Sequence, residues 1–320
     1  MQGFTILMHN MIKGTYIFYQ DGKEIYRSPN VVTKFGKRFI ANFIAGTVDG
    51  PNRDIAIGID ETAATDEDTR LGFEFYRIPV QISSTDIQTV SGTTTYSVVY
   101  KATIPQDVAG VIKEIGLYPT TRSSINNFDS KFLADFADPL DWAIGAGTNP
   151  VSTTTGAKVG DSVLTFASNS TSAQEYFSNT TLDLSGYSVN DSIRLAYYKN
   201  NANLQNIIIK FYSSTSNYYS TTITPAGGTG YKITSDISLG TVFTSPTGTP
   251  DKTNINKIGI TITPTSSNTT SIGMDGLRIN DEDTFDPTFG LISRSILATA
   301  LTKLAGRAVD VEYKLDLAFT

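Results

Sequence analysis

The chain has 320 residues, a formal net charge of -6 and 39% hydrophobic residues. This length allows two ordinary domains, each with its own core. The negative charge and the lack of clustered Lys and Arg argue against a nucleic-acid partner, because phosphate binding requires such clusters. The absence of cysteine excludes disulfides, thiol nucleophiles and cysteine zinc sites. The sequence has neither the features of a signal peptide nor an apolar run that could span a bilayer, so we expect no secretion signal and no membrane insertion.

The N-terminal part of the chain predicts one clear helix. Apolar residues recur at three- and four-residue steps between Val32 and Ile44, which is the spacing of one helical face. Asn30 or Thr33 can cap the start of this helix, and Gly46 stands where a helix commonly ends. We expect the helix to lie on a sheet.

Apolar and polar residues alternate along the end of the chain, from Val309 to Phe319, as in a strand with one buried face. The best partners for this strand lie far upstream, at Tyr96–Ile104 and Gly110–Tyr118. Other strands before residue 122 are predicted at Ile12–Gln20, Lys23–Ser28, Ile55–Ile59 and Leu71–Val80. The two chain ends therefore predict one small α+β domain, a sheet plus one helix, formed by residues 1–122 and 287–320.

A segment of different composition, residues 123–286, interrupts this domain. It is rich in Ser, Thr, Asn and Gly, and short apolar runs recur between turn residues. Roughly eight short strands fit a two-sheet sandwich or jelly roll. The whole chain is thus predicted to be mostly β, with a jelly-roll domain inserted into a loop of the end-formed domain.

Short motifs in the end-formed domain occur in a recognisable order. They are Asn30-Val31-Val32-Thr33, Ile55-Ala56-Ile57-Gly58, Asp68-Thr69-Arg70-Leu71-Gly72, Lys113 to Tyr118, and Gly290 to Ser295. This order resembles a family of bacteriophage tail and baseplate-associated virion proteins. The chain departs from the family pattern at Asp60, where Gly or Thr is frequent, at Tyr118, which replaces Phe, and in its large insertion.

The insertion has a resemblance of its own. Its motifs are Phe128-Asp129, Gly160 to Leu164, Leu182 to Tyr187 and Ile272 to Ile279. They resemble successive strands of carbohydrate-binding-module jelly rolls, although Gly276 stands where a second acid is frequent. The resemblance implies a structural calcium ion and glycan binding.

Residue counts limit the chemistry that the chain could perform. His9 is the only histidine and stands in a predicted N-terminal arm, so histidine-based triads and metal sites are disfavoured. A glycosidase would need two carboxylates facing one cleft, and no pair is positioned by the sequence. We therefore expect a protein that is not an enzyme.

Aromatic residues are the candidates for a glycan site, because ring faces can pack against the C–H surfaces of sugars. Adjacent residues such as Tyr218 and Tyr219 must point to opposite faces of a strand, so only one of the two can be core. The predicted glycan-binding residues are Trp142, Tyr187, Tyr198, Tyr212 and Tyr219.

Acidic residues near the end of the insertion are the candidates for the implied calcium ion, which prefers carboxylate and carbonyl oxygens. The predicted ligands are Asp129, Asp275, Asp281 and Asp283. Their spacing does not match an EF-hand loop. The alternative is a charged hinge between the domains.

The expected function is that of a structural virion component of a phage tail, baseplate or tail fibre, made in the cytoplasm of the bacterial host. The end-formed domain would attach to other tail proteins and to copies of itself, and the jelly roll would bind host surface polysaccharide or decorate the particle. Two alternatives stay open: a polysaccharide depolymerase with a carboxylate pair, and a free carbohydrate-binding protein.

Overall fold

The computed structural model describes residues 12–47, 53–90, 93–119, 131–144, 149–168, 172–265, 270–280 and 290–319. The described chain is mostly β, as predicted. It forms two compact units: unit 1 consists of Met1–Ile125 and Phe285–Thr320, and unit 2 of Asn126–Thr284. No helix within the described ranges is long and apolar enough to cross a membrane.

Both chain ends contribute strands to unit 1, and the strands of unit 2 lie between them in the sequence. Unit 1 begins with β1 (Ile12–Gln20), β2 (Lys23–Pro29), β3 (Val31–Val32), α1 (Lys34–Ile44), β4 (Asp54–Gly58), β5 (Glu74–Pro79), β6 (Ile82–Val90), β7 (Thr93–Ile104) and β8 (Gly110–Tyr118). Unit 2 contains β9 (Lys131–Ala134), β10 (Ala143–Ile144), β11 (Val151–Thr153), β12 (Val163–Ser168), β13 (Gln174–Leu182), β14 (Ser192–Lys199), β15 (Leu204–Tyr212), β16 (Tyr218–Ile223), β17 (Gly230–Ile233), β18 (Ile237–Ser238), α2 (Leu239–Phe243), β19 (Pro246–Thr247), β20 (Ile255–Pro264) and β21 (Thr270–Asn280). Unit 1 closes with β22 (Ser293–Lys303) and β23 (Val309–Phe319).

Unit 1 contains two five-stranded antiparallel sheets and α1, rather than the single sheet expected. The strand orders are β2-β1-β23-β7-β6 and β3-β22-β8-β4-β5. The terminal strand β23 pairs with β7, as predicted, and with β1. The predicted pairing with Gly110–Tyr118 is wrong, because β8 lies in the other sheet between β22 and β4. Alternation identifies a half-buried strand but does not say which sheet it joins.

Both sheets of unit 1 and α1 contribute side chains to one apolar core. Tyr16 from β1 and Tyr313 from β23 lie with their ring centroids 4.7 Å apart. The hydroxyl of Tyr16 is 2.7 Å from the hydroxyl of Ser293 in the other sheet. This bond links the two sheets and satisfies a polar group that is fully buried.

The predicted helix is confirmed, and so is its cap. Thr33 has an extended backbone, and its side chain accepts a hydrogen bond of 2.9 Å from the backbone N–H of Gly36. After the helix, Gly46 adopts a positive φ of 69°, which glycine accepts without steric cost.

Unit 2 is a two-sheet antiparallel sandwich, as predicted. One sheet has six strands in the order β10-β13-β20-β15-β16-β19. The other follows the order β11-β12-β21-β14-β17, with β18 paired to β14 and β9 paired to β21. Their facing side chains form a second large core, rich in Ile and aromatic residues. Each sheet consequently has one face toward this core and one face directed away from it.

Candidate functional site

The structure places Trp142 and Tyr187 in the core of unit 2, which corrects their assignment to a glycan surface. Trp142 is 6% exposed and Tyr187 is 3% exposed. The ring of Trp142 lies 4.9 Å from Phe136 and 5.2 Å from Phe166, measured between centroids. Phe166 in turn stacks on Tyr176 at 4.1 Å. Both side chains therefore belong to the core of unit 2 and do not form a glycan surface.

Tyr218 and Tyr219 point to opposite faces, as alternation requires, but the predicted member of the pair is the core residue. Tyr219 pairs with Phe211 in register, is 8% exposed and donates a hydrogen bond to the carbonyl of Pro250. Tyr218 is half-buried and pairs with Tyr212 on the outward face. The signal was present in the sequence, because Tyr219 shares its parity with the apolar Ile223.

The remaining two predicted residues lie on different sheets. Tyr198 is half-buried on β14 of the seven-stranded sheet and packs against Gly156. Tyr212 lies on β15 of the six-stranded sheet. The five predicted aromatic residues therefore do not converge on one site.

A different group of residues does converge, on the outward face of the six-stranded sheet. Core residues alternate with outward residues along its four long strands, β13, β20, β15 and β16. We call the outward group the outer aromatic cluster; it consists of Glu175, Phe177, Lys210, Tyr212, Tyr218 and Lys257. Of these residues, Tyr212 is the one that belongs to the five predicted glycan-binding residues.

Tyr212 lies at the centre of the outer aromatic cluster. Its hydroxyl donates a 2.6 Å hydrogen bond to Oε1 of Glu175. The same oxygen forms an ion pair with Nζ of Lys210 at a distance of 3.2 Å. Burial, and then the neighbouring carboxylate of Glu175, raise the pKa of Tyr212, so the phenol stays protonated and acts as a donor. Gly259 lies beneath this bond: a Cβ there would come within 2.6 Å of Oε1 of Glu175.

Three rings and two ammonium groups complete the cluster. The rings of Tyr212 and Tyr218 are 4.8 Å apart and tilted by 51°. Nζ of Lys210 lies 5.3 Å from the ring centroid of Tyr218, and Nζ of Lys257 lies 4.7 Å from that of Phe177. Such cation–π contacts hold lysine side chains close to the rings. The face thus combines the half-buried rings of Phe177 and Tyr218, and the largely buried but outward-directed ring of Tyr212, with polar groups in defined positions.

Asp275, a predicted calcium ligand, is fully buried on β21. Its Oδ2 accepts hydrogen bonds from the backbone N–H groups of Lys158 (3.0 Å) and Val159 (2.9 Å) and from the hydroxyl of Tyr231. Nζ of Lys158 lies 4.5 Å from the ring of Tyr231. Calcium requires several oxygen ligands. The groups around Asp275 are instead hydrogen-bond donors and a lysine ammonium group, so they do not form a calcium site.

The other predicted calcium ligands, Asp129, Asp281 and Asp283, lie outside the described residues. Within the described part of the chain, no group of three or more His, Asp or Glu side chains could hold a metal ion. Oδ1 of Asp275 has no hydrogen-bond partner in those same ranges. Burial raises the pKa of this carboxyl group to about 6, against the opposing effect of its hydrogen bonds.

The motif residues of unit 1 form a buried ion-pair network. Glu114 is fully buried, and its Oε2 accepts bonds from Nε (3.0 Å) and Nη2 (2.8 Å) of Arg294. Its two oxygens also accept from the backbone N–H groups of Asp60, Gly72 and Phe73 at 3.2, 2.9 and 2.7 Å. Nη1 of Arg294 pairs with Asp68 at 3.0 Å. The network fixes the acidic loop between β4 and β5 onto the sheet.

Two further acids of this loop are paired within unit 1. Asp66 pairs with Lys37 of α1 at 3.1 Å, and Glu67 pairs with Lys34. Asp60 accepts a 2.7 Å hydrogen bond from the backbone N–H of Thr62. The loop therefore connects α1 to the sheet, and much of its negative charge is balanced within unit 1.

Comparisons with known proteins give no family for this chain. No protein-family model matches the sequence, and no curated protein sequence matches it. Solved structures match about half of the chain. The family 11 carbohydrate-binding module from Clostridium thermocellum, in complex with a β-1,3-1,4-mixed-linked tetrasaccharide, is 18% identical with a TM-score of 0.35, over 47% of this chain and 95% of that one.

Two other solved structures are similar to a comparable degree. The family 30 carbohydrate-binding module of a Clostridium thermocellum cellulosomal cellulase is 14% identical with a TM-score of 0.37, over 48% of this chain and 99% of that one. The agarase AgWH50C is 14% identical with a TM-score of 0.35, over 50% of this chain. The match spans a quarter of the agarase's length. Values this low assign neither a ligand nor an activity to this chain.

Proposed function

We propose that unit 2 is a carbohydrate-binding module and that the outer aromatic cluster is its ligand surface. The observation that carries this proposal is the gathering of Phe177, Tyr212 and Tyr218 on one sheet face beside a hydrogen-bonded Glu175. Aromatic faces suit the C–H surfaces of a sugar ring, and fixed polar groups suit its hydroxyls. The cluster stands on four long paired strands, which gives it a rigid support.

Binding without hydrolysis is the role that this face supports best. Retaining and inverting glycosidases both use a pair of carboxyl groups that flank the scissile bond. Among β13, β15, β16 and β20, Glu175 supplies the single carboxylate. That carboxylate is already engaged by Lys210 and Tyr212. We therefore propose that the protein is not an enzyme.

Replacing Tyr218 by Ala tests the ligand surface directly. Tyr218 is half-buried and its hydroxyl makes no described hydrogen bond, so its removal should leave the sandwich intact. We expect the full-length Tyr218→Ala variant to bind polysaccharides about tenfold more weakly, because a few aromatic contacts carry most of the binding energy at such surfaces. Affinity electrophoresis against a panel of soluble polysaccharides measures this change.

The matched control is Tyr96→Ala, which removes a tyrosine of unit 1 that is 45% exposed. This variant should bind like the parent protein. Equal binding by the parent protein and the Tyr218→Ala variant would contradict the assignment of the site. Absence of binding to every polysaccharide tested would contradict the proposed function itself.

Substitution of Gly259 gives a second test of the same face. A Cβ at this position would approach Oε1 of Glu175 to 2.6 Å and Cε2 of Tyr212 to 2.9 Å. Oε1 ends the side chain of Glu175, and Cε2 lies on the ring edge of Tyr212 next to the carbon that carries the hydroxyl. We therefore expect Gly259→Ala to displace the Tyr212–Glu175 bond and weaken binding severalfold while the chain still folds. The control is Gly227→Ala, whose Cβ would meet nothing within 4 Å. Similar binding losses in both variants would contradict this prediction.

We also propose that unit 1 attaches the protein to a phage tail or baseplate, where it would meet other tail proteins and copies of itself. This proposal rests on the order of the motifs, two of which meet in the contact between Glu114 and Arg294. Mass spectrometry of purified phage particles tests it. The protein should be present in stoichiometric amounts, and its absence from particles would overturn the proposal.

A further inference from the structure

The charge of the outer aromatic cluster differs in sign from that of the chain. The four strands that carry the cluster, β13, β15, β16 and β20, contain two lysines, Lys210 and Lys257, and one acid, Glu175. The face is therefore positive by one charge, whereas the whole chain has a formal net charge of -6. A positive patch on a negative protein attracts anionic ligands and repels cationic ones.

The two lysines have different partners. Lys210 pairs with Glu175 at 3.2 Å, so its charge is balanced within the cluster. Lys257 forms no ion pair among the described residues. Its Nζ is 4.7 Å from the ring centroid of Phe177 and 5.2 Å from that of Tyr212. Lys257 is thus the surplus cation of the face, and two aromatic rings hold it in place.

The position of Lys257 relates it directly to the aromatic surface. Lys257 pairs in register with Tyr212, and Tyr212 pairs with Tyr218, so the three residues form one row across three neighbouring strands. Adjacent strands are about 4.8 Å apart, which places Lys257 and Tyr218 roughly 10 Å from each other. A saccharide lying along this row would contact the half-buried ring of Tyr218 and bring its substituents to the ammonium group of Lys257.

From this arrangement we infer that the ligand of the outer aromatic cluster is an anionic polysaccharide, whose carboxylate or phosphate groups pair with Lys257. This inference rests on the proposed carbohydrate-binding function. A charge-assisted bond to a carboxylate or phosphate is stronger than one to a neutral hydroxyl. Such a bond would also pair the ammonium group of Lys257, which forms no ion pair among the described residues.

The test compares binding of the full-length protein to four probes. They are polygalacturonate, its methyl ester, a neutral β-glucan and a phosphate-bearing teichoic acid. We expect binding to polygalacturonate or the teichoic acid, weaker binding to the methyl ester, and a decrease as salt is raised. The polygalacturonate and teichoic acid arms distinguish a carboxylate from a phosphate as the recognised group.

Two variants locate the effect. Lys257→Gln should weaken binding to the anionic polymer about tenfold, the effect expected for loss of a hydrogen bond between charged groups, and Lys257→Arg should retain it. Lys23→Gln, which removes the charge of an exposed lysine in unit 1, should bind normally. The inference would be overturned if the neutral and anionic polymers bound with equal affinity and Lys257→Gln had no effect. If Tyr218→Ala still reduced that binding, the proposed function would stand. Failure to bind any probe would overturn both.

Discussion

Replacing Arg294 by Met should destabilise unit 1 by about 3–5 kcal/mol, which is the usual cost of removing one partner from a buried ion pair. Arg294 is 4% exposed at its side chain and Glu114 is 0% exposed. Without the guanidinium group, the carboxylate of Glu114 would remain buried without a countercharge. Burial already raises the pKa of Glu114 despite Arg294, and the variant would raise it further.

Urea unfolding of the full-length protein measures this effect. Far-UV circular dichroism reports both units, and the fluorescence of Trp142, the only tryptophan, reports unit 2. The loss of stability should appear in the unfolding of unit 1, which changes the dichroism signal without changing the fluorescence of Trp142. Arg27→Met is the control, because Arg27 pairs with Glu24 at 2.8 Å on the surface, where such pairs contribute little. Equal effects of the two substitutions would contradict the prediction.

An apolar replacement of both partners should not rescue unit 1. Buried ion pairs can often be exchanged for apolar residues at little cost. Here Glu114 also accepts hydrogen bonds from the backbone N–H groups of Asp60, Gly72 and Phe73. The double variant Glu114→Met/Arg294→Met would leave these three donors without their acceptor, and each buried unpaired donor is costly. We therefore expect it to be as unstable as the single variant or more so.

Local signals in the sequence predicted the elements that depend on local chemistry. Asp21 and Gly22 form the turn between β1 and β2 with φ angles of 51° and 72°, as their dipeptide indicates. Thr33 caps α1 and Gly46 follows its end. These features depend on a few neighbouring residues, so their residue types are sufficient evidence.

Long-range pairing could be predicted in part only. The pairing of β23 with β7 was predicted, but β8 was assigned to the same sheet although it belongs to the other. The strands of both sheets pair antiparallel, and an apolar strand pattern by itself does not identify the partner strand. The motif residues Glu114 and Arg294 are 180 positions apart. No spacing rule connects residues that meet only after the chain has folded around an insertion.

The candidate site was the least predictable feature. Trp142 and Tyr187 were chosen for their aromatic character, which a core uses as readily as a binding surface does. The alternation along β16 would have separated Tyr218 from Tyr219, because Tyr219 lies an even number of residues from the apolar Ile223 and so shares its inner face. The contribution of Phe177 and Lys257 to the cluster depends on the order of β13, β20 and β15, which the sequence does not state.

Asp275 should make the stability of unit 2 fall as pH rises from about 4 to about 6. Burial raises the pKa of its carboxyl group from 3.8 to about 6 in the folded state. Between these two values the folded protein binds a proton that the unfolded chain releases, so lower pH favours folding. A shift of about two pKa units corresponds to about 3 kcal/mol, fully present below the unfolded pKa and lost above the folded one.

The variant Asp275→Asn should remove this contribution to the pH dependence. The amide oxygen can accept the hydrogen bonds from Tyr231, Lys158 and Val159, and the amide nitrogen takes the place of Oδ1, which has no partner among the described residues. Relative to the parent protein, the variant should therefore gain stability steadily as pH rises from 4 to 6. Urea unfolding followed by Trp142 fluorescence at several pH values measures the difference.

Asp161→Asn, which changes an exposed aspartate of unit 2, serves as the control and should follow the parent protein at every pH. The same series with added calcium, and with a chelator, also tests the predicted metal site. A bound calcium ion would stabilise the charged carboxylate, so the parent protein would then gain stability with rising pH, and the sign of the slope would reverse. A slope that is negative in both solutions assigns Asp275 to its hydrogen bonds with Tyr231 and the backbone. A calcium-dependent reversal would show instead that Asp275 is a metal ligand and would overturn the assignment made from its donors.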